Sequence, residues 1–129
     1  MGQEFIRNAP FAVLSSADAD GHLDASPKGG RPGFVKVIDG THLILPDVKG
    51  DRLFQSYENL ETNPHVALLF LIPGLDHTAR VNGEAEVVDL TTLHDRGITF
   101  EVHDPDDSAA LQQGLLITVD EAMGSVLGR

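Results

Sequence analysis

The sequence predicts a mostly β fold, a closed β-barrel with short helices at its ends. Short apolar or alternating segments of strand length recur along the chain. Asp20-Gly21 marks a tight hairpin, since Asp-Gly supplies the positive φ such turns require, and Asp39-Gly40 is a second hairpin signal. One mid-chain segment alone carries strong helical spacing. Many short strands, tight turns and one central helix make a barrel the natural architecture.

The elements follow in order. Gln3 to Asn8 forms a short helix with Phe5 and Ile6 inward, ended by Pro10. Phe11 to Ser16 is a strand, and His22 to Ser26 returns as its partner after the Asp20-Gly21 turn. Phe34 to Ile38 alternates like a half-buried strand, and His42 to Leu45 pairs with it across Asp39-Gly40. Leu53, Phe54, Tyr57 and Leu60 recur at helical spacing, which predicts a helix from Arg52 to Glu61 stopped by Asn63-Pro64. His65 to Ile72 is a buried strand by its apolar run, more continuous than a one-sided strand needs. Thr78 to Val88 is a long strand with a bulge or bend at Gly83. A helical turn starts at Thr91 or Thr92, Asp104 to Ser108 is a loop, Leu115 to Val119 is the last strand, and Glu121 to Leu127 is a terminal helix. With no internal repeat and no linker, residues 1–129 read as one domain.

Composition narrows the function. The net charge is −11, which disfavours nucleic acid and anionic membrane surfaces as partners. No apolar run approaches the roughly 20 residues of a membrane span. Cysteine is absent, so disulfides, thiolate metal sites and cysteine nucleophiles are excluded. That absence and the lack of a signal pattern fit a cytoplasmic protein. The six histidines are scattered without metal-ligand spacing. Asp18-Ala19-Asp20-Gly21 has a calcium-loop look, but Pro27 stands where that loop requires its closing Glu. No metal is expected. Nucleotide-binding glycine motifs and Gly-x-Ser-x-Gly are also absent.

What remains is a concentration of cations in an acidic chain. Lys28, Arg31 and Lys36 surround a Gly/Pro-rich corner, an arrangement that suits an anionic ligand as well as an ordinary solvated loop. Arg52, with Lys49 nearby, stands at a helix start, where it either faces an anion or pairs with Asp51, Glu58 or Glu61.

An ordered set of short motifs runs from Phe11 to Asp89. It comprises Phe11-Ala12-Val13-Leu14-Ser15-Ser16, Ser26-Pro27-Lys28-Gly29, Pro32-Gly33-Phe34-Val35, Leu45-Pro46-Asp47, Gly50-Asp51-Arg52, Glu58-Asn59-Leu60, Asn63-Pro64, Leu68 to Gly74, and Thr78-Ala79-Arg80-Val81-Asn82-Gly83. In this the chain resembles the pyridoxamine 5'-phosphate oxidase-like, FMN-binding split-barrel family, and within it a subgroup with a Ser-Pro-Lys-Gly strand. The resemblance implies a six-stranded antiparallel split β-barrel with a few short helices. It also implies a homodimer with FMN at the interface, and oxidoreductase activity on a small molecule. Carried over by motif, the cofactor residues are Ser26, Pro27, Lys28 and Gly29 on the second strand, Leu45 and Pro46 at the strand-to-helix corner, Arg52 for the phosphate, and Thr78 or Arg80 on the long strand. No catalytic acid or base is nominated, because the flavin carries the redox chemistry. Two departures matter. Asp51 stands where the subgroup has Asn, which reduces the cationic pair at the phosphate. Pyridoxamine phosphate oxidases carry a C-terminal Arg-x-His segment, whereas this chain runs Glu121 to Arg129 there, so another substrate is expected. Two alternatives stay open: a module that binds flavin, deazaflavin or haem without turnover, and a dimer without cofactor.

Overall fold

The computed structural model describes residues 3–47, 54–97 and 113–126. The chain runs α1 (Gln3–Asn8), β1 (Phe11–Ala17), β2 (Leu23–Gly29), β3 (Lys36–Val37), β4 (His42–Asp47), α2 (Phe54–Leu60), β5 (His65–Leu71), β6 (His77–Asp89), α3 (Leu90–Asp95) and β7 (Gln113–Val126). The strands form one antiparallel sheet in the order β2-β1-β5-β6-β7-β4-β3. The sheet ends at β2 on one side and β3 on the other, so the barrel is split rather than closed. The seven strands match the number read segment by segment from the sequence, against the six that the family resemblance implies.

Alternation explains the core. In β1, Ala12, Leu14 and Ser16 are buried while their neighbours are half-buried. Val66, Leu68 and Phe70 are buried likewise in β5, and Ala79, Val81 and Ala85 in β6, where Arg80, Asn82, Glu84 and Glu86 between and beside them are exposed. These side chains meet Leu43 and Leu45 of β4 and Leu115 and Ile117 of β7 in one apolar cluster. Period-2 burial along β1 and β5 is what a curled sheet with one inner face demands, whereas Gly114 to Ile117 of β7 are buried without a break because α3 covers their outer side. Ile6 from α1 is fully buried in the same cluster, and α1 packs beside the short β3.

The Asp20-Gly21 turn forms as expected, with Gly21 at φ 85. Both Asp-Gly hairpins carry the same clamp. Asp18 Oδ1 accepts from the backbone N–H of Asp20 and of His22, and Oδ2 meets His22 Nδ1 at 2.9 Å. Asp39 Oδ1 accepts from Thr41 N–H at 2.8 Å and lies 3.0 Å from His42 Nδ1. The Thr41 backbone N–H, followed by the His42 side chain, holds the Asp39 carboxyl down to about 2.

Several boundaries differ from expectation. β2 runs on through Pro27 and Lys28 to Gly29. Proline is tolerated there because β2 is an edge strand, with one side free of ladder bonds. The Phe34–Ile38 strand shrinks to Lys36–Val37. The expected break between a last strand and a terminal helix at Glu121 does not occur. β7 continues as a strand to Val126, pairing Asn82 with Glu121 and His77 with Val126. Pairing with the long β6 outweighs the helix propensity of Glu121, Ala122 and Met123. The expected loop at Asp104–Ser108 and the helix start at Arg52 lie outside the described residues.

The bulge expected near Gly83 is real. The β6–β7 register shifts between Asn82 and Gly83, where Asn82 pairs with Glu121 but Gly83 with Val119. A Cβ on Gly83 would run into the Thr118 carbonyl oxygen and the Val119 backbone. Gly83→Ala must therefore push the two strands apart, and urea unfolding should show a loss of about 2–3 kcal/mol. An unchanged midpoint would mean the ladder yields freely at this point.

The Asp39 clamp sets a second expectation. Its carboxyl titrates lower in the folded chain than the ordinary 3.8. Its stabilising effect is therefore complete above pH 3.8 and lost as pH falls through about 2. In acid titrations, the stability gap between wild type and Asp39→Asn should close across that window. A gap that stays constant from pH 5 to pH 2 would contradict the clamp.

Candidate functional site

Antiparallel partners share a face, so the register assigns each nominated residue to a side of the sheet. On the inner face one cross-strand row reads Lys28–Ala12–Phe70–Ala79. Ser26 lies on the same face, opposite Leu14. Lys28 is only 3% exposed, which is unusual for an ammonium group and requires that it be engaged by partners.

On the outer face two adjacent rows carry the rest of that end. One reads Gly29–Phe11–Leu71–Thr78, the other Pro27–Val13–Leu69–Arg80–Met123. Pro27, Gly29, Thr78 and Arg80 thus come together on one surface from segments about fifty residues apart in sequence. Arg80 is exposed and its guanidinium contacts the Met123 sulfur. Thr78 is buried despite its outer position. Phe11, Val13, Leu69 and Leu71 are half-buried here, and they supply an apolar wall between the polar ends of the rows. Motif matching did not single them out, although the unbroken apolar run of β5 signalled a second covered face.

Leu45 and Pro46 are buried on β4. They pair with Leu115 and Gly114 of β7, and through them with Val87 and Val88 at the opposite end of β6 from Thr78. The ladder of one chain therefore does not join this corner to the Gly29–Thr78 rows. Arg52, with Lys49 and Asp51, lies outside the described residues.

The outer face has two halves. Over β4, β7 and the end of β6, Leu93 of α3 packs with Ile44, Val88 and Leu116 in a second small core. Asp89 caps α3 by accepting from Thr92 N–H at 2.7 Å, and this bond lowers its carboxyl below the usual range. Arg96 then forks onto both oxygens of Glu86 at 2.8 and 3.2 Å, lowering the Glu86 carboxyl in turn. No described helix packs on the other half, over β2, β1, β5 and the start of β6. The position of α2 is set from inside: Asn59 donates to the Ser16 hydroxyl at 2.9 Å, and both groups are buried.

Among the described residues, Asp18, Asp20 and His22 form a group with ligand atoms within 4.8 Å of one another. The Asp18 oxygens are already committed to the hairpin, so the group reads as turn chemistry. No described helix is long and apolar enough to cross a membrane.

A family model described as pyridoxamine 5'-phosphate oxidase matches residues 2–113. A curated relative, the pyridoxine/pyridoxamine 5'-phosphate oxidase of Crocosphaera subtropica, is 35% identical over 91 residues. The match takes in 67% of this chain but 40% of that protein, so the chain spans well under half of its relative's length. Among solved structures, HupZ of Group A Streptococcus superposes with a TM-score of 0.66 at 16% identity, covering 98% of this chain and 92% of its own. An F420 reductase superposes with a TM-score of 0.60 at 20% identity, covering 95% and 97%. At these identities the two structures speak for the fold alone.

Proposed function

Because the chain belongs to the pyridoxamine 5'-phosphate oxidase family, we propose that it is an FMN-dependent oxidoreductase. In this reading residues 1–129 form one domain, and two copies meet in the cytoplasm with FMN between them. The observation that supports it best is the pair of outer rows ending in Gly29–Thr78 and Pro27–Arg80, on the half of the sheet that no described helix covers.

The residues present fit a flavin. Gly29 has no side chain and leaves the β2 backbone open to close approach. Phe11, Val13, Leu69 and Leu71 offer the apolar wall a flat ring system needs. Thr78 brings a hydroxyl to the end of its row, and Arg80 brings a fixed positive charge. Pro27 completes the β2 contribution on this face, while Ser26 and Lys28 lie on the inner face of the same strand and would act on the cofactor only through the strand that carries them. Arg52 would hold the phosphate. When bound, FMN supplies the electron transfer, and these side chains orient it and exclude water. Leu45 and Pro46 sit too far along the ladder to join the same rows. They reach a flavin most simply when it lies between two copies, so the corner of one protomer faces the open rows of the other. A symmetric pair would also cover the apolar half-face.

The substrate is a small molecule outside the pyridoxamine phosphate class. A net charge of −11 works against an anionic substrate arriving by diffusion. Because the F420 reductase shares the fold, F420 belongs beside FMN among the flavins to be titrated. The binding-only and cofactor-free alternatives are separated from turnover by the same titration and by reduction of the bound flavin with nicotinamide donors.

Three outcomes are expected. Light scattering at micromolar concentration should give twice the chain mass; a monomer would remove the interface. FMN should bind and quench, and Arg52→Ala should weaken it about ten-fold or more, as loss of a charge-assisted phosphate bond predicts. Unchanged affinity would move the phosphate site to Arg31 or Lys49. With FMN bound and oxygen present, pyridoxamine 5'-phosphate should turn over well below about 1 per second. Faster turnover would show a substrate clamp built from other residues.

A further inference from the structure

The open half of the outer face contains a cleft that shares no residue with the nine nominated for the cofactor. Its volume is about 330 Å³, and it is lined by residues of β1, β2, β5, β6 and β7. That volume is at the lower end of the range for small-molecule pockets. The cleft exists because outward positions that are large nearer Thr78 become small here. One outer row reads Ser15–Ala67–Asn82, directly beyond the row of Val13, Leu69 and Arg80. Ala17 continues the floor, and the exposed Leu23 stands at the rim.

The second observation is the bulge. Between the pairs Asn82–Glu121 and Gly83–Val119, Asp120 has no partner of its own on β6. The extra residue departs from strict alternation, and Asp120 lines the cleft. The departure depends on glycine at position 83, where any side chain would meet the Thr118 carbonyl. Bulges of this kind persist where they re-aim a side chain. Among the described residues the lining includes no lysine or arginine. Its basic side chain, His65, stands 3.8 Å from Glu84. The polar residues along the cleft are therefore Asp120, Asn63, Asn82 and Ser15, beside small apolar side chains; the Ser16 hydroxyl is buried and bonded to Asn59.

We propose that this cleft binds a small, flat organic molecule, uncharged or cationic, that donates hydrogen bonds to Asp120 and is flanked by Asn82 and Ser15. Anions are rejected, because the cleft offers a carboxylate and no fixed positive charge. The site shares no residue with the flavin reading and does not need FMN to bind, but it requires that a second copy covering this half-face leave the cleft open.

Three probes of one shape and different charge test it: benzamidine, benzamide and benzoate. In amide NMR spectra, with and without FMN, benzamidine and benzamide should shift the signals of Ser15, Ala67 and Gly83, and benzoate should not. Asp120→Asn should weaken benzamidine about ten-fold, as loss of a charge-assisted bond predicts, and leave benzamide within about two-fold. Ala67→Leu fills the floor and should abolish both; a dispersed spectrum confirms that each variant folds. The proposal is overturned if benzoate binds as well as benzamidine, or if Asp120→Asn leaves benzamidine unchanged. It also fails if no probe moves these amides because a second copy of the chain occupies the cleft. Failure of FMN to bind leaves this test intact.

Discussion

The ladder between β6 and β7 is the constraint on which the rest of the structure depends. It pairs His77 through Asp89 with residues across the whole of β7. β6 holds β5, and through it β1 and β2; β7 holds β4, and through it β3. Two half-sheets thus meet along one seam of main-chain hydrogen bonds. The seam runs in regular register except at one point, between Asn82 and Gly83. Gly83 lets the backbone of β6 approach Thr118 more closely than any side chain allows, and one extra residue on β7 takes up the slack. A regular ladder would keep the sheet flatter and bury less of the apolar inner face.

The same seam divides the outer surface. Beyond it, α3 covers β4, β7 and the end of β6 with Leu93, tied down by the Asp89 cap and the Arg96–Glu86 fork. On the near side the strands carry half-buried Phe11, Val13, Leu69 and Leu71 with no described helix above them. A sheet that is apolar on both faces, with only half of one capped by the described helices, invites something else to cover the remainder. In the proposed dimer a flavin and a second copy share that task. The apolar rows near Thr78 and the small-residue cleft near Asn82 would then be neighbouring parts of one functional surface.

Electrostatics sharpen this picture. The chain is acidic, yet its edge strand buries Lys28. A buried ammonium survives only where partners repay its lost hydration. Its place at the end of β2, one residue from the outward Pro27 and Gly29, ties the strand's charge and its open backbone to the same end of the barrel. The Asp18–His22 and Asp39–His42 clamps, by contrast, are local. They secure hairpins with an aspartate that bonds to the following backbone, and each sets a histidine beside its aspartate.

The sequence by itself determined the β class, the strand order along the chain, both Asp-Gly hairpins and the irregularity at Gly83. These are signals of short range: turn chemistry, alternation and the demand for glycine act within a few residues. Motif order also carried the family. Tertiary structure alone decided that Glu121 to Val126 is strand, because pairing with β6 outweighs a helical preference that is only local. It decided that β2 runs through Pro27, because that strand lies at an edge. It also decided which residues share a surface. Gly29 and Thr78 fall in one row, while Leu45 and Pro46 fall at the far end of the ladder. The cleft at Asp120 belongs to the same class of fact. A face is a property of register, and register is set by partners dozens of residues away that no local window contains.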